Sequence, residues 1–121
     1  MTDSLLVQLR KGVLDMCVLA MLAQRDGYAY DIASRLAQDI GMGEGTIYPL
    51  MRRMQGDGLV KTYLEESSSG PPRKYYQLTK AGHAALAAQK GEWNLFTTSV
   101  AKVLSDAKGA APAARNAGGV K

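Results

Sequence analysis

GEGTIYPLMRRMQGDGLVKTYLEESSSGPPRKYYQL, residues Gly43 to Leu78, is the stretch whose reading decides the fold. It divides into a short helix, a strand, and a second strand reached through a tip rich in Ser, Gly and Pro. In the helix, Ile47, Leu50, Met51 and Met54 recur at i, i+3, i+4 and i+7, one apolar stripe at helical period. At about 100° per residue the opposite face carries Gly45, Pro49 and Gly56, with Arg52 and Arg53 at its edges. A helix needing only solubility would show Glu, Lys and Gln there. A small face edged by two guanidiniums is shaped to approach something bulky and anionic. Arg73 and Lys74 add a second basic pair near the hairpin tip. A basic helix followed by a basic hairpin is the form taken by the DNA-binding half of a winged helix-turn-helix.

The 121 residues suffice for one domain with a modest core. Fifteen Lys and Arg against eleven Asp and Glu leave a formal charge of +4. Up to Ala101 the balance is eleven basic to ten acidic, so most of the excess lies in the last twenty residues. Overall charge is therefore weak evidence for nucleic acid, and placement along the chain counts for more. Cys17 is the one cysteine and lies in an apolar helical run. It reads as a small buried side chain in a reducing cytoplasm. No apolar run approaches the roughly 18 residues of a membrane span. The opening MTDSLLVQLRK lacks the basic start, long apolar centre and small-residue cleavage site of a signal peptide. The expectation is a soluble, cytoplasmic chain with no membrane partner.

Asp3 or Ser4 is placed to cap a first helix reaching about Ala23. Leu6, Leu9, Val13, Met16, Cys17 and Ala20 form its predicted inner stripe, widened by Leu5, Leu14, Val18 and Met21. That is more apolar surface than one side of a small domain covers, so the N-terminal half is expected to meet something outside it. Arg25-Asp26-Gly27 reads as a turn, with Gly27 available for positive φ. Tyr28 to Ile40 reads as a second helix, with Ile32, Leu36 and Ile40 inward, broken by Gly41-Met42-Gly43. Two helices joined by such a turn have the form of a helix-turn-helix, a weak signal alone.

Pro49 complicates the third helix, because it has no N–H to donate. A start at Thr46 would leave Pro49 in the first turn. A start at Glu44, the reading favoured here, implies a distorted first turn. Asp57-Gly58 ends the helix. Val60 to Leu64 and Arg73 to Leu78 are the predicted strands, with Glu65 to Pro72 as a mobile tip. Thr79 caps a last helix whose seam is Leu86, Trp93, Phe96, Val100, Val103 and Leu104, close to a heptad pattern suited to helix pairing. Gly82 and Gly91 within it each cost about 1 kcal/mol relative to Ala. Beyond Asp106 the Ala, Gly and scattered basic residues read as a disordered basic tail. The predicted fold is mainly α with a small β-hairpin. Residues 1–78 form the winged helix-turn-helix, 79–106 a long C-terminal dimerisation helix, and 107–121 the tail.

LRKGVLDMCVLAML, GYAYDIASRL, GTIYPLMRRMQGDGLV and RKYYQLTKAGHAAL, in that order over about Leu9 to Leu86, resemble the PadR family of bacterial transcriptional regulators. The single C-terminal helix resembles its small subfamily. The resemblance implies a dimeric winged-helix repressor, often autoregulatory, released from an inverted-repeat operator of ATGT/ACAT type by a small ligand. Two departures stand out: Met51 and Met54 where leucines are usual, and Ser-Ser-Ser-Gly-Pro-Pro in a wing tip where more glycine is common.

Carried over by position, the resemblance makes Thr46 and Tyr48 phosphate contacts and puts Pro49, Arg52 and Arg53 nearest the major groove. Arg52 or Arg53 is the candidate for a bidentate contact to guanine, worth about 1–3 kcal/mol, with the other bound to phosphate. Arg73 and Lys74 would grip the DNA backbone through the wing. Tyr48 alternatively packs on the second helix, and Tyr75 and Tyr76 read as sheet packing. Trp93 anchors the dimer seam with Leu5, Leu6, Leu9, Phe96, Val100, Val103 and Leu104. By resemblance to multidrug-sensing members it also stacks a planar aromatic effector, with Leu6, Leu9, Val13 and Phe96 as neighbours; Thr79, Gly82 and His83 reproduce the segment that sets its position.

Enzymatic readings find little support. No Ser/His/Asp order, P-loop or dinucleotide motif is present, and no cofactor or metal is implied. His83 has no second His or Cys at metal spacing and reads as packing or hydrogen bonding, which leaves metal sensing with little behind it. The alternative function is a winged-helix interaction or architectural module without operator specificity.

Overall fold

The computed structural model describes residues 5–108. The elements follow as α1 (Leu5–Gln24), β1 (Gly27–Tyr28), α2 (Ala29–Asp39), α3 (Glu44–Gly56), β2 (Val60–Ser67), β3 (Gly70–Leu78) and α4 (Lys80–Lys108). They fall into two compact units, one reaching Ala87 and the other starting at Ala88, a division inside α4. In the first, the helices pack with a three-stranded antiparallel sheet of order β1-β3-β2. The architecture is the expected winged helix with a long C-terminal helix.

The α3 stripe behaves as its spacing predicts: Ile47, Leu50, Met51 and Met54 are all buried. Ile32, Ala33 and Leu36 of α2 join it, as do Met42, Val60, Tyr76, Leu78 and Leu86. Met51 and Met54 are fully enclosed, so methionine fills the volume a leucine would take at a cost below about 1.5 kcal/mol. In α1 the buried residues are Leu14, Val18, Leu19 and Leu22. The predicted stripe is thus rotated: Met16, Cys17 and Ala20 are only partly buried, and Leu5, Leu6 and Leu9 are exposed. Apolar residues surround this helix, so periodicity alone did not single out the face the core would select.

The start of α3 combines two features of the sequence. Gly43 is the N-cap, and its carbonyl accepts from both Thr46 N–H (3.0 Å) and Ile47 N–H (3.2 Å). This tightened first turn precedes Pro49, which lies inside the helix. At the other end, Leu59 N–H donates to Met54 O and Gly58 N–H to Gln55 O, both at 3.0 Å, with Gly58 at φ 79°. That is a Schellman motif, and it turns the chain directly into β2.

Two expectations about the strands are corrected. Gly27 is not at positive φ; it pairs with Tyr76 in β1, a strand too short for sequence reading to detect. The mobile tip is replaced by ladder, since β2 and β3 pair as far as Ser67↔Gly70. Pro71 and Pro72 are accommodated because the register shifts between Glu65 and Ser67, setting both prolines opposite Glu66. The last helix also runs two residues past its expected end, taking in Ala107 and Lys108. The rest of the predicted tail, 109–121, and the cap at Asp3 or Ser4 lie outside the described residues.

Gly82 holds the base of the wing to the start of α4. A Cβ there would sit 2.2 Å from the Leu59 carbonyl oxygen and 2.6 Å from a Leu78 methyl. Backbone cannot yield as a flexible side chain does. Gly82→Ala should therefore destabilise by about 1–3 kcal/mol or more, lowering the melting temperature by at least about 4 °C. Gly56→Ala, where nothing lies within 4 Å, should instead stabilise by roughly 0.5–1 kcal/mol. Calorimetry on the two variants checks both signs.

Candidate nucleic-acid interface

With its stripe buried, α3 turns Gly45, Pro49, Arg52 and Gly56 outward, all exposed. Pro49 has no N–H to donate to the Gly45 carbonyl four residues back. Arg52 has neither an ion pair nor a hydrogen bond to any described side chain.

Arg53 and Thr46 occupy the flank nearest α1. With Pro49, Leu50, Lys11, Leu14 and Asp15 they line a cleft of about 390 Å³. Across it, Arg53 Nη2 donates to Asp15 Oδ1 at 3.2 Å and Oδ2 at 3.1 Å. Its Nη1 stands 3.8 Å from Asp57 Oδ2. The two arginines that sequence reading treats as interchangeable therefore differ: Arg52 faces solvent alone, and Arg53 is held by carboxylates.

Tyr48, on the other flank, is half-buried against the core. Burial first, and then the Glu44 carboxylate and Tyr28, Tyr30 and Tyr76, push its phenol above the usual range. Packing is thus part of its role. On the wing, pairing sets Tyr63 beside Tyr75 and Tyr75 beside Tyr28, so one face of the sheet carries a row of three rings. Tyr63 and Tyr75 stack with centroids 5.8 Å apart, and Tyr28 meets Tyr75 at the same separation. Arg73 lies over the Tyr28 ring at 4.9 Å and Lys74 near the Tyr76 ring at 5.6 Å. Tyr76 is buried and Tyr75 half-buried, both in sheet packing. Asp26 ties the wing to the α1–β1 turn, accepting from Tyr63 Oη at 2.7 Å and Gln77 Nε2 at 3.3 Å.

The sequence of a transcriptional regulator family matches residues 18–88, under the description "Transcriptional regulator PadR-like family". The chain belongs to the PadR-like family. A crystal structure of a PadR-like transcriptional regulator from Bacillus cereus is 38% identical and superposes with a TM-score of 0.74, covering 80% of this chain and 96% of that one. A PadR family transcriptional regulator from Eggerthella lenta is 36% identical at a TM-score of 0.70, covering 81% and 87%. An uncharacterised protein of Lysinibacillus sphaericus is 29% identical over 87 residues, 69% of this chain and 80% of that protein. As a PadR-like regulator the chain is a DNA-binding protein of transcription control. No described helix is long and apolar enough to cross a membrane.

The residues expected to serve dimerisation and ligand binding are placed in both units. Leu5, Leu6 and Leu9 in the first are exposed, Leu5 by 70%, and Val13 is half-buried. In the second, Trp93 is 41% exposed, and Phe96, Val100, Val103 and Leu104 are exposed on the same helix face. Leu95 is exposed too, on the opposite face, outside the predicted seam. His83 is exposed rather than packed; its backbone N–H bonds Thr79 O. Among the described residues no three His, Cys, Asp or Glu side chains gather as a metal site. Sequence reading missed Asp15, Asp26 and Tyr63. Only the hairpin register, which sets Tyr63 opposite Tyr75, had a local signal.

The Tyr63–Asp26 bond makes the wing sensitive to alkali. Donation to the carboxylate raises the phenol from 10.0 to about 12. A raised folded-state value means the bond's contribution is complete below pH 10 and is lost as pH climbs through about 12. Wild type should thus be more stable than Tyr63→Phe at neutral pH, and the gap should close over that window. Denaturant midpoints for both proteins along a pH series would show it; a constant gap would contradict the assignment.

Proposed function

We propose that the chain is a cytoplasmic, dimeric repressor that reads an inverted-repeat operator and responds to a planar aromatic effector. The observation that carries the reading is the outer face of α3. It is small at Gly45, Pro49 and Gly56, and it presents the unpaired guanidinium of Arg52. In this reading residues 1–78 bind DNA, 79–106 dimerise, and Arg52 makes the bidentate contact to guanine. Thr46, Tyr48 and Pro49 seat the helix, and Arg73 and Lys74 bind phosphate through the wing. Arg73 resting on Tyr28 supports this, since the ring holds the guanidinium extended at low entropic cost.

Dimerisation is supported by apolar surface that a single copy leaves uncovered, at Leu5, Leu6 and Leu9 and again at Trp93, Phe96, Val100, Val103 and Leu104. A half-exposed tryptophan flanked by Phe96 suits π-stacking of a flat, preferably cationic ligand. Leu6, Leu9 and Val13 would complete that site in the assembled dimer. A ligand there that alters the spacing of the recognition helices would disturb half-sites about 34 Å apart. Coupling of this kind is reciprocal, typically about 5- to 150-fold in affinity.

Arg52→Ala should relax preference at one base position of an operator selected from random DNA. Arg73→Ala should weaken all sequences alike and flatten the salt dependence by about one unit per subunit. Equal losses on selected and random duplexes for Arg52→Ala would favour an architectural module instead. The effector site is read by fluorescence, since Trp93 is the only tryptophan. Planar cationic dyes should quench it, less so with saturating operator, and Trp93→Phe should bind them more weakly. Emission indifferent to a broad dye panel would leave Trp93 an interface anchor.

A further inference from the structure

Arg52 and Arg53 are neighbours in sequence and about 100° apart around α3, and their surroundings are opposite. Arg53 is flanked by Asp15, at 3.1 Å, and Asp57, at 3.8 Å. Arg52 has no such carboxylate partner among the described side chains.

Resting on the DNA-binding reading above, we infer that Asp15 limits the sequence-independent affinity of this chain for DNA. By occupying Arg53 it withholds a guanidinium from the phosphate backbone and leaves discrimination to Arg52. Each Arg or Lys that neutralises a phosphate adds affinity for every sequence alike. Such affinity raises binding to the many competing non-specific sites by the same factor as to the operator, so it adds salt-dependent attraction to bulk DNA with no gain in discrimination. Asp15 comes from α1, 38 residues upstream of Arg53, and so lies outside the helix whose output it governs. The Asp15–Arg53 pair is accessible, with side chains 39% and 55% exposed, so the carboxylate competes with phosphate at the surface. It also repels phosphates that approach this flank. Arg53 thereby braces α3 against α1 instead of joining the contact.

The test compares full-length wild type, Asp15→Asn, Arg53→Gln and the double variant on two labelled duplexes: one enriched by wild type from a randomised library, and a scrambled one of equal composition. Affinity is measured between 50 and 200 mM salt, and folding is checked by thermal melting. Freed Arg53 side chains should steepen the Asp15→Asn slope by about 0.9 per subunit, so that in a dimer the fourfold salt rise costs roughly tenfold more affinity than in wild type. Binding to the scrambled and the enriched duplexes should tighten by a similar factor. Arg53→Gln in the Asp15→Asn background should restore the wild-type slope.

An unchanged slope in folded Asp15→Asn, or weaker scrambled binding, overturns the inference. Should Asp15→Asn not fold, Arg53→Gln decides alone. A wild-type slope supports masking, and a loss of about one unit per subunit overturns it by placing Arg53 on phosphate already. Failure of the DNA-binding reading looks different, since wild type then shows no salt-dependent binding to either duplex.

Discussion

Thr79 is the joint on which the winged unit depends. Its hydroxyl lies 2.7 Å from the Gly58 carbonyl and 3.0 Å from that of Leu59, and accepts from Gly82 N–H at 3.0 Å. Its own N–H donates to Leu59 O, again at 3.0 Å. One residue therefore binds the turn after α3, the root of β2, the end of β3 and the first turn of α4. The contact requires glycine at position 82, because α4 lies almost directly on the Leu59 carbonyl. With the Schellman turn on one side and this cap on the other, the end of α3 and the root of the wing are tied to one residue.

This joint also shows why much of the fold was legible beforehand. Thr79 as an N-cap, Gly58 as a helix terminator and the i, i+3, i+4, i+7 stripe of α3 are local signals, each satisfied within a few residues. The failures share another cause. The buried face of α1 is not legible from periodicity, because apolar residues surround that helix and packing in the shared core decides which of them are buried. β1 has two residues and exists only through its pairing with Tyr75 and Tyr76. The hairpin tip was misread because Ser, Gly and Pro composition signals a loop, whereas a bulge lets the ladder pass the prolines. By helix propensity alone Gly82 is a penalty; its reason is the carbonyl it packs against.

The candidate interface divides the same way. Residue types and their helical spacing located Arg52, Arg53, Arg73 and Lys74, but not their partners. Asp15 reaches Arg53 and Tyr28 reaches Arg73 through tertiary contacts spanning tens of residues, and a single chain's sequence marks no such pairings. Yet these partners separate the roles of like residues. Two adjacent arginines become a free guanidinium and a tethered one. Two adjacent tyrosines become a core residue, Tyr76, and a member of an outer row, Tyr75.

The bulge opposite Glu66 has a bearing on the chain's behaviour at high concentration. A long hairpin with an exposed leucine, Leu64, offers unpaired backbone on its outer edges, a template for another copy's strand. Pro71 and Pro72 remove two donors from the part of β3 that extends beyond β1, and together they form the bulge opposite Glu66 that interrupts the ladder. Lys61, Glu65 and Glu66 add charge along β2. The wing is thus built to reject strand addition, so that a hairpin projecting from the domain does not seed aggregation.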